Sequence, residues 1–174
     1  ENVAEHGARL SSDRVRVVEG GATRMLSVRR GFQEVPEDID MVAVHDGARP
    51  LVTPEIVRAV LEEAYESGAA LAAVPVKDTL KKVANKQFWV SGTPARSLFW
   101  SAQTPQCYRR EILEDALARF PDESDATDES QLVEKAGHKV RVVVSSYENF
   151  KITTPEDLTM AQGLLESRAG GRRR

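Results

Sequence analysis

The chain has 174 residues, of which 41% are hydrophobic and 29% are charged, and its formal net charge at pH 7 is −3. This composition excludes a disordered chain, a collagen-like chain and a coiled coil. A single cysteine, Cys107, excludes an internal disulfide framework and a cysteine-rich zinc site. No apolar run approaches the ~18 residues of a membrane-spanning helix, and the slight acidity argues against nucleic-acid binding.

Short apolar runs alternate with amphipathic segments along the chain. In chain order, the predicted elements are a strand at 15–18, a helix at 23–35, a strand at 41–44, a helix from Pro54 up to Gly68, a strand at 71–76, a helix at 109–120, a strand at 140–144 and a helix at 155–166. Thr53 and Thr154 are expected to cap two of these helices, because each is followed by a proline that suits the first helical position. The alternation predicts a parallel sheet with helices on both faces.

The stretch 79–100 breaks this alternation. Short β-like pieces at 80–83 and 88–90 flank a polar segment at 85–87, which predicts a hairpin that projects from the main sheet. An isolated hairpin is marginally stable in water. We therefore expect it to pack against another subunit or to fold back onto its own domain, and the sequence leaves both arrangements open.

Glycines and charged residues follow several predicted strands, at the positions where ligands bind in open α/β sheets. Two glycines at 20–21 follow the first strand, Asp46 and Arg49 follow the second, and Lys151 follows the last. Each feature also has a structural explanation: a tight turn, an ion pair that stiffens a loop, and a solvated lysine. Together with Arg96 and several threonines, however, these side chains suit a phosphorylated, hydroxyl-rich small molecule.

Other chemistries have less support in the sequence. The histidines, His6, His45 and His138, stand at unrelated positions with no spacing typical of metal ligands. Neither a Gly-x-Ser-x-Gly elbow nor a Walker motif is present. A polar turn is expected at 103–106, before the next helix, and Cys107 is predicted to be a buried small residue rather than a nucleophile.

Six segments carry a more specific pattern in a fixed order. They are GGATR at 20–24 followed by SV at 27–28, HDGARP at 45–50, PVKDT at 75–79, AQTPQ at 102–106, TDE at 127–129 and NFKITTPED at 149–157. With them the chain resembles the 2-C-methyl-D-erythritol 4-phosphate cytidylyltransferases of the non-mevalonate isoprenoid pathway. Each segment is weak alone, but together they extend over nearly the whole chain.

The resemblance implies a Rossmann-like nucleotidyltransferase fold, a three-layer sandwich with a mostly parallel sheet. The whole of 1–174 is then one nucleotidyltransferase domain, and about 76–98 is a β-arm through which the family forms homodimers. The family also opens with a strand and a Gly-rich loop, carrying an Arg and a Lys that cradle the CTP triphosphate. No such segment precedes residue 1 of this sequence, so this strand and phosphate loop are expected to be missing from it.

The implied activity joins CTP to 2-C-methyl-D-erythritol 4-phosphate, giving 4-diphosphocytidyl-2-C-methyl-D-erythritol and pyrophosphate. Mg²⁺ is expected to bind mainly through the CTP phosphates, and the protein is expected in the cytoplasm, with no nucleic-acid or membrane partner. Two alternatives stay open. One is a ribitol 5-phosphate cytidylyltransferase, whose motifs are very similar, and the other is a catalytically silent binding or dimer-scaffold fragment.

The resemblance also implies roles for individual residues by motif position. The residues implied to contact the cytidine are Gly21, Ala22 and Ser27. Those implied to line the methylerythritol phosphate pocket are Asp46, Arg49, Thr104, Thr127 and Lys151. Those implied to reach that pocket from the partner's arm are Thr79 and Arg96. Arg96 and Lys151 are the implied catalytic residues, which position the substrate phosphate for attack. Ala22 stands where many members carry an acid, so a backbone contact is expected there.

Overall fold

A computed structural model of the chain describes residues 15–84, 88–121 and 126–171. The helices in these ranges are α1 (Arg24–Gln33), α2 (Pro54–Ser67), α3 (Arg110–Arg119), α4 (Glu129–Lys135) and α5 (Pro155–Gly171), with a 3₁₀ turn at Arg96–Leu98. The strands are β1 (Met41–Val44), β2 (Ala69–Pro75), β3 (Lys82–Ala84), β4 (Trp89–Gly92), β5 (Trp100–Arg109) and β6 (Arg141–Val144). Among the helices described, none combines the length and the apolar character needed to cross a bilayer.

The main sheet has four strands in the order β1-β5-β2-β6. β5 pairs antiparallel with both β1 and β2, whereas β2 and β6 pair parallel. Three strands therefore run in one direction and β5 opposes them, so the predicted α/β class is confirmed with a mixed sheet.

Two local predictions were wrong. The polar turn expected at 103–106 is the middle of β5, because the buried side chains of Gln103 and Gln106 find hydrogen-bond partners inside the protein. The strand expected at 15–18 is reduced to an isolated bridge at Val15, and the apolar side chains in this run remain exposed.

Helices cover both faces of the sheet, as predicted. On one face, Met25 of α1, Leu113 of α3 and Leu132 of α4 pack with Tyr108. On the other face, α2 packs against the small side chains of β2 and against Cys107, whose thiol is buried. Burial raises the pKa of this thiol to about 12, which agrees with an inert core residue.

The helix starts agree with the sequence. The Thr53 hydroxyl accepts a hydrogen bond from the Ile56 N–H at the start of α2, and Gly68, with φ of 94°, ends that helix. The Thr154 hydroxyl likewise accepts from the Asp157 N–H, 3.3 Å away, at the start of α5. α5 continues to Gly171, beyond the end expected at 166.

The predicted hairpin is confirmed as the antiparallel pair β3 and β4. Its polar segment at 85–87 lies outside the described residues. Phe88 and Trp89 are 82% and 71% exposed, and Val83 and Val90 are exposed as well. The described part of this chain therefore does not cover the apolar side chains of the hairpin.

Candidate active site

A cleft of about 260 Å³ opens beyond the carboxyl end of β1. Its lining residues are Arg24, Asp46, Arg49, Ala102, Gln103, Thr104, Gln106, Thr127, Asp128 and Lys151. The structure thus brings together five of the residues singled out from the sequence, namely Asp46, Arg49, Thr104, Thr127 and Lys151. They come from four separate segments of the chain.

The turn after β1 fixes Asp46 in the cleft. The Arg49 N–H donates to the Asp46 carbonyl at 2.9 Å and closes the turn. The Asp46 N–H donates to the Thr104 hydroxyl at 3.0 Å, and the Nδ1 atom of His45 lies 2.9 Å from that oxygen. Because β5 runs antiparallel to β1, its first half passes this strand end and delivers Thr104 to it.

The loop after β6 holds Lys151 against the same cleft. Asn149 is fully buried, and its amide donates to the Gln103 side chain at 3.0 Å and to the Thr104 carbonyl at 2.9 Å. Arg49 donates in turn to the Asn149 carbonyl at 2.9 Å. These bonds fix the backbone two residues before Lys151, whose own side chain stays 42% exposed and available to a ligand.

Asp46 lies at the centre of a cluster of three cations. Its carboxylate oxygens are 3.3 Å from Arg24 Nε, 3.4 Å from Arg49 Nε and 3.4 Å from Lys151 Nζ. Burial alone would raise the pKa of Asp46, but the charges of Arg24 and Lys151 outweigh burial and hold it below its ordinary value. The cleft therefore offers an ionised carboxylate beside side chains that bind phosphate.

Sequence reasoning missed Arg24 and Glu129 as parts of this site. Glu129 is fully buried, and its two oxygens lie 2.6 and 3.1 Å from the two terminal nitrogens of Arg24. Burial opposes the charge on Arg24, yet its bonds to Glu129 and Asp46 raise its pKa above the ordinary value. Both residues stand in segments that carry the resemblance, but nothing in the sequence indicates that they touch.

Asp128 and Gln106 form a polar wall of the cleft. Asp128 caps α4 by accepting from the Gln131 N–H at 3.0 Å. Its other carboxylate oxygen accepts from the Gln106 amide at 3.0 Å, and the Tyr108 hydroxyl donates to Gln106 at 2.8 Å. This network holds the start of α4, and with it Thr127, against β5.

Gly21, Ala22 and Ser27 do not line this cleft, although each stands within three residues of Arg24, which does. The Gly21 N–H donates to the Ser27 hydroxyl at 2.9 Å, and that hydroxyl donates to the Thr23 carbonyl at 3.0 Å. A Cβ atom on Gly21 would lie 2.3 Å from Leu26 Cβ and 2.9 Å from the Leu26 carbonyl carbon. Only glycine fits this approach, so the turn that leads into α1 depends on it.

Gly21→Ala should therefore lower the free energy of unfolding by about 1–3 kcal/mol, because the turn must shift to relieve the contact. Gly31 in α1 is the matched control, since a Cβ there meets nothing within 4 Å. Gly31→Ala should raise stability by about 0.5–1 kcal/mol through helix propensity. Urea denaturation measures both, and equal effects of the two substitutions would contradict this view of the turn.

Thr79 and Arg96 do not reach the cleft of their own chain. Both are exposed, and Arg96 donates to the Lys77 carbonyl at the base of the hairpin. The Lys77 ammonium lies 3.3 Å from the centre of the Tyr147 ring, and the Tyr147 hydroxyl donates to the Pro75 carbonyl at 2.8 Å. The hairpin base is thus tied to the loop that carries Lys151.

Comparison with protein families gives one match that covers most of the chain. The model of the family described as 2-C-methyl-D-erythritol 4-phosphate cytidylyltransferase (IspD) matches residues 1–167. Proteins of that name from Alkaliphilus metalliredigens and Alkaliphilus oremlandii are 48% and 45% identical to this chain over 157 residues. Each alignment covers 90% of this chain, and the chain spans only 65% and 66% of the two relatives' lengths.

Solved structures agree with the sequence matches. The crystal structure of 2-C-methyl-D-erythritol 4-phosphate cytidylyltransferase from Thermus thermophilus superposes with a TM-score of 0.77 at 37% identity. It covers 88% of this chain, which corresponds to 76% of the Thermus chain. The enzyme of that name from Francisella tularensis gives a TM-score of 0.79 at 35% identity, covering 87% of this chain and 72% of its own. The Rossmann-like nucleotidyltransferase fold is therefore confirmed.

Proposed function

Because this chain belongs to the 2-C-methyl-D-erythritol 4-phosphate cytidylyltransferase family, we propose that the polypeptide containing it joins CTP to 2-C-methyl-D-erythritol 4-phosphate. The products are 4-diphosphocytidyl-2-C-methyl-D-erythritol and pyrophosphate. This reaction belongs to isoprenoid precursor synthesis, and we place the protein in the cytoplasm. The activity is a proposal for the whole polypeptide, since the chain spans 65% of the length of a curated relative.

One observation carries the proposal: two carboxylates, two arginines, a lysine and two threonines meet in a single cleft. The carboxylate of Asp46 and the hydroxyls of Thr104 and Thr127 can bind the hydroxyl groups of a polyol. Arg49 can donate to a phosphate group through the guanidinium N–H groups that Asp46 and Asn149 leave free, and Lys151 offers a mobile point charge. The set matches both ends of a polyol phosphate.

In the proposed reaction, a phosphate oxygen of the polyol phosphate attacks the α-phosphorus of CTP. A new oxygen–phosphorus bond forms as the bond from that phosphorus to the β-phosphate bridging oxygen breaks, and pyrophosphate leaves with the electron pair. No covalent enzyme intermediate is needed. The protein contributes by holding two anions together and by neutralising charge on the transferring group, which are the roles of Lys151 and Arg96.

The nucleotide is proposed to lie beside this cleft, against the turn before α1. Gly21 and Ser27 shape that turn through the bond from the Gly21 N–H to the Ser27 hydroxyl. Ala22 is exposed there and has no polar side-chain atom, so a polar contact from it would use its backbone. We assign the cytidine contacts to these three residues.

Mg²⁺ is proposed to enter with CTP, bound mainly through the phosphates. Within residues 15–84, 88–121 and 126–171, no group of three or more His, Cys, Asp or Glu side chains is arranged to hold a metal ion. Because the nucleotide is proposed to hold the metal, no side chain is assigned to it.

The hairpin is proposed to be the arm of a homodimer. Its apolar side chains, with Phe88 and Trp89 the most exposed, offer a surface for a second copy. Thr79 and Arg96 stand on or beside this arm, outside their own cleft. We propose that each arm delivers these two residues to the cleft of the partner.

Calorimetric titration of the polypeptide that contains this chain with polyol phosphates tests the proposed substrate directly. We expect 2-C-methyl-D-erythritol 4-phosphate to bind and ribitol 5-phosphate to bind more weakly. Asp46→Asn should weaken the binding about tenfold or more, because a hydrogen bond to a charged group is lost. Preference for ribitol 5-phosphate would support the alternative substrate, and binding of neither compound would contradict the proposed function.

A further inference from the structure

Arg24 links two carboxylates that are far apart in the sequence. Its two terminal nitrogens lie 2.6 and 3.1 Å from the oxygens of Glu129, and its Nε lies 3.3 Å from Asp46 Oδ1. Glu129 is fully buried, and a buried carboxylate is stable only when it is paired. The Arg24 side chain keeps 33% of its surface exposed and lines the cleft.

The shape of the guanidinium group makes this link directional. Glu129 takes both terminal nitrogens at once, so the plane of the Arg24 fork is set by a carboxylate that cannot move away from α4. Glu129 is the first residue of α4, which Asp128 caps and whose Leu132 and Val133 side chains are buried. The remaining Nε–H group of Arg24 then points at Asp46.

We propose that Arg24, held by Glu129, is a positioning residue that fixes the direction in which the Asp46 carboxylate receives a substrate hydroxyl. The naming of that ligand as a polyol hydroxyl rests on the proposed function. A carboxylate has about four lone-pair sites. Arg24, Arg49 and Lys151 each approach one of these oxygens, so about one acceptor direction is left for the substrate.

The charged groups around Asp46 determine the pKa that its titration measures. Arg24 faces it from α1, Arg49 from its own loop and Lys151 from the loop after β6. Glu129 stands behind Arg24, and Asp128 lines the cleft. The neighbouring imidazole of His45 is turned to the Thr104 hydroxyl and to the Arg49 carbonyl.

Removal of the Arg24 charge by Arg24→Gln should therefore raise the pKa of Asp46, because the largest cation contribution is lost while burial remains. The measurement is a ¹³C-carboxyl NMR titration of the polypeptide that contains the chain, with Asp46→Asn to assign the signal. In the polypeptide that contains the chain, KM for the polyol phosphate should rise about tenfold with a smaller change in kcat, because the lost interaction serves binding throughout the reaction.

Two conservative variants separate charge from direction. Arg24→Lys keeps the positive charge but loses the planar guanidinium fork. The pKa of Asp46 should therefore stay below its ordinary value, while KM still rises. Glu129→Gln keeps the shape of the side chain and one acceptor oxygen, and it should also raise KM. Arg141→Gln is the matched control, because Arg141 forms an exposed ion pair with Glu63 away from the cleft. It should change neither quantity.

The outcomes separate this inference from the proposed function. If Arg24→Gln leaves both the Asp46 titration and KM at the wild-type values, the inference is wrong, although wild-type turnover upholds the proposed function. If the pKa of Asp46 changes but the wild-type protein neither binds nor converts a polyol phosphate, both the proposed function and the identification of the ligand as a polyol hydroxyl are wrong. A shifted titration with a raised KM supports both.

Discussion

Replacing Lys151 by alanine is expected to lower turnover about a hundredfold, by analogy with the loss of one charge-stabilising donor. The side chain is 42% exposed and its ion pair is with Asp46, at 3.4 Å. It has no packing role in the core, so the substitution should leave the free energy of unfolding nearly unchanged. The measurements are kcat for pyrophosphate release and a urea denaturation curve for the same protein.

Lys139→Ala is the matched control, because Lys139 is exposed and lies before β6, away from the cleft. It should turn over at the wild-type rate. Near-normal turnover of Lys151→Ala would contradict the assignment of the cleft, since no other side chain on the loop after β6 lines it. Loss of turnover together with loss of folding would show that Lys151 is structural.

Mixing two variants of low activity is expected to restore turnover. In a dimer of Lys151→Ala with Arg96→Ala, one cleft loses both side chains and the other keeps both, provided that Arg96 comes from the partner's arm. Random exchange of subunits makes half of the dimers mixed, so about a quarter of wild-type turnover should return. Each variant alone should keep only about a hundredth of wild-type turnover in the pyrophosphate assay.

The control pairs Lys151→Ala with Asp46→Asn. Both residues line the cleft of a single chain, 3.4 Å apart, so a mixed dimer has no intact cleft and activity should not return. If the Arg96 mixture also stays inactive while the subunits exchange, Arg96 does not act across the dimer. If the protein sediments as a monomer, the arm does not have the role proposed from its exposed Phe88 and Trp89.

Local signals in the sequence were sufficient for most of the fold. Thr53 and Gly68 mark the two ends of α2 because a cap and a left-handed turn act within a few residues. β5 was missed because Gln103 and Gln106 resemble a loop until their buried partners are known. The prediction of a strand at 15–18 was wrong because apolar residues alone do not supply a neighbouring strand to pair with.

In the candidate site too, some residues could be predicted from the local sequence and others could not. Asp46, Arg49 and Lys151 were found because each follows a predicted strand, where α/β sheets bind ligands. The contact between Arg24 and Glu129 spans 105 positions and is brought about only when α1 and α4 pack on the same face of the sheet. No local pattern could have predicted it.

The most direct test of the account is the rate of pyrophosphate release from CTP by the polypeptide that contains this chain, measured with 2-C-methyl-D-erythritol 4-phosphate and, in parallel, with ribitol 5-phosphate. We expect release with the methylerythritol phosphate and much slower release with the ribitol phosphate. Faster release with ribitol 5-phosphate would replace the proposed substrate, and no release with either would contradict the assignment of this cleft to cytidylyl transfer.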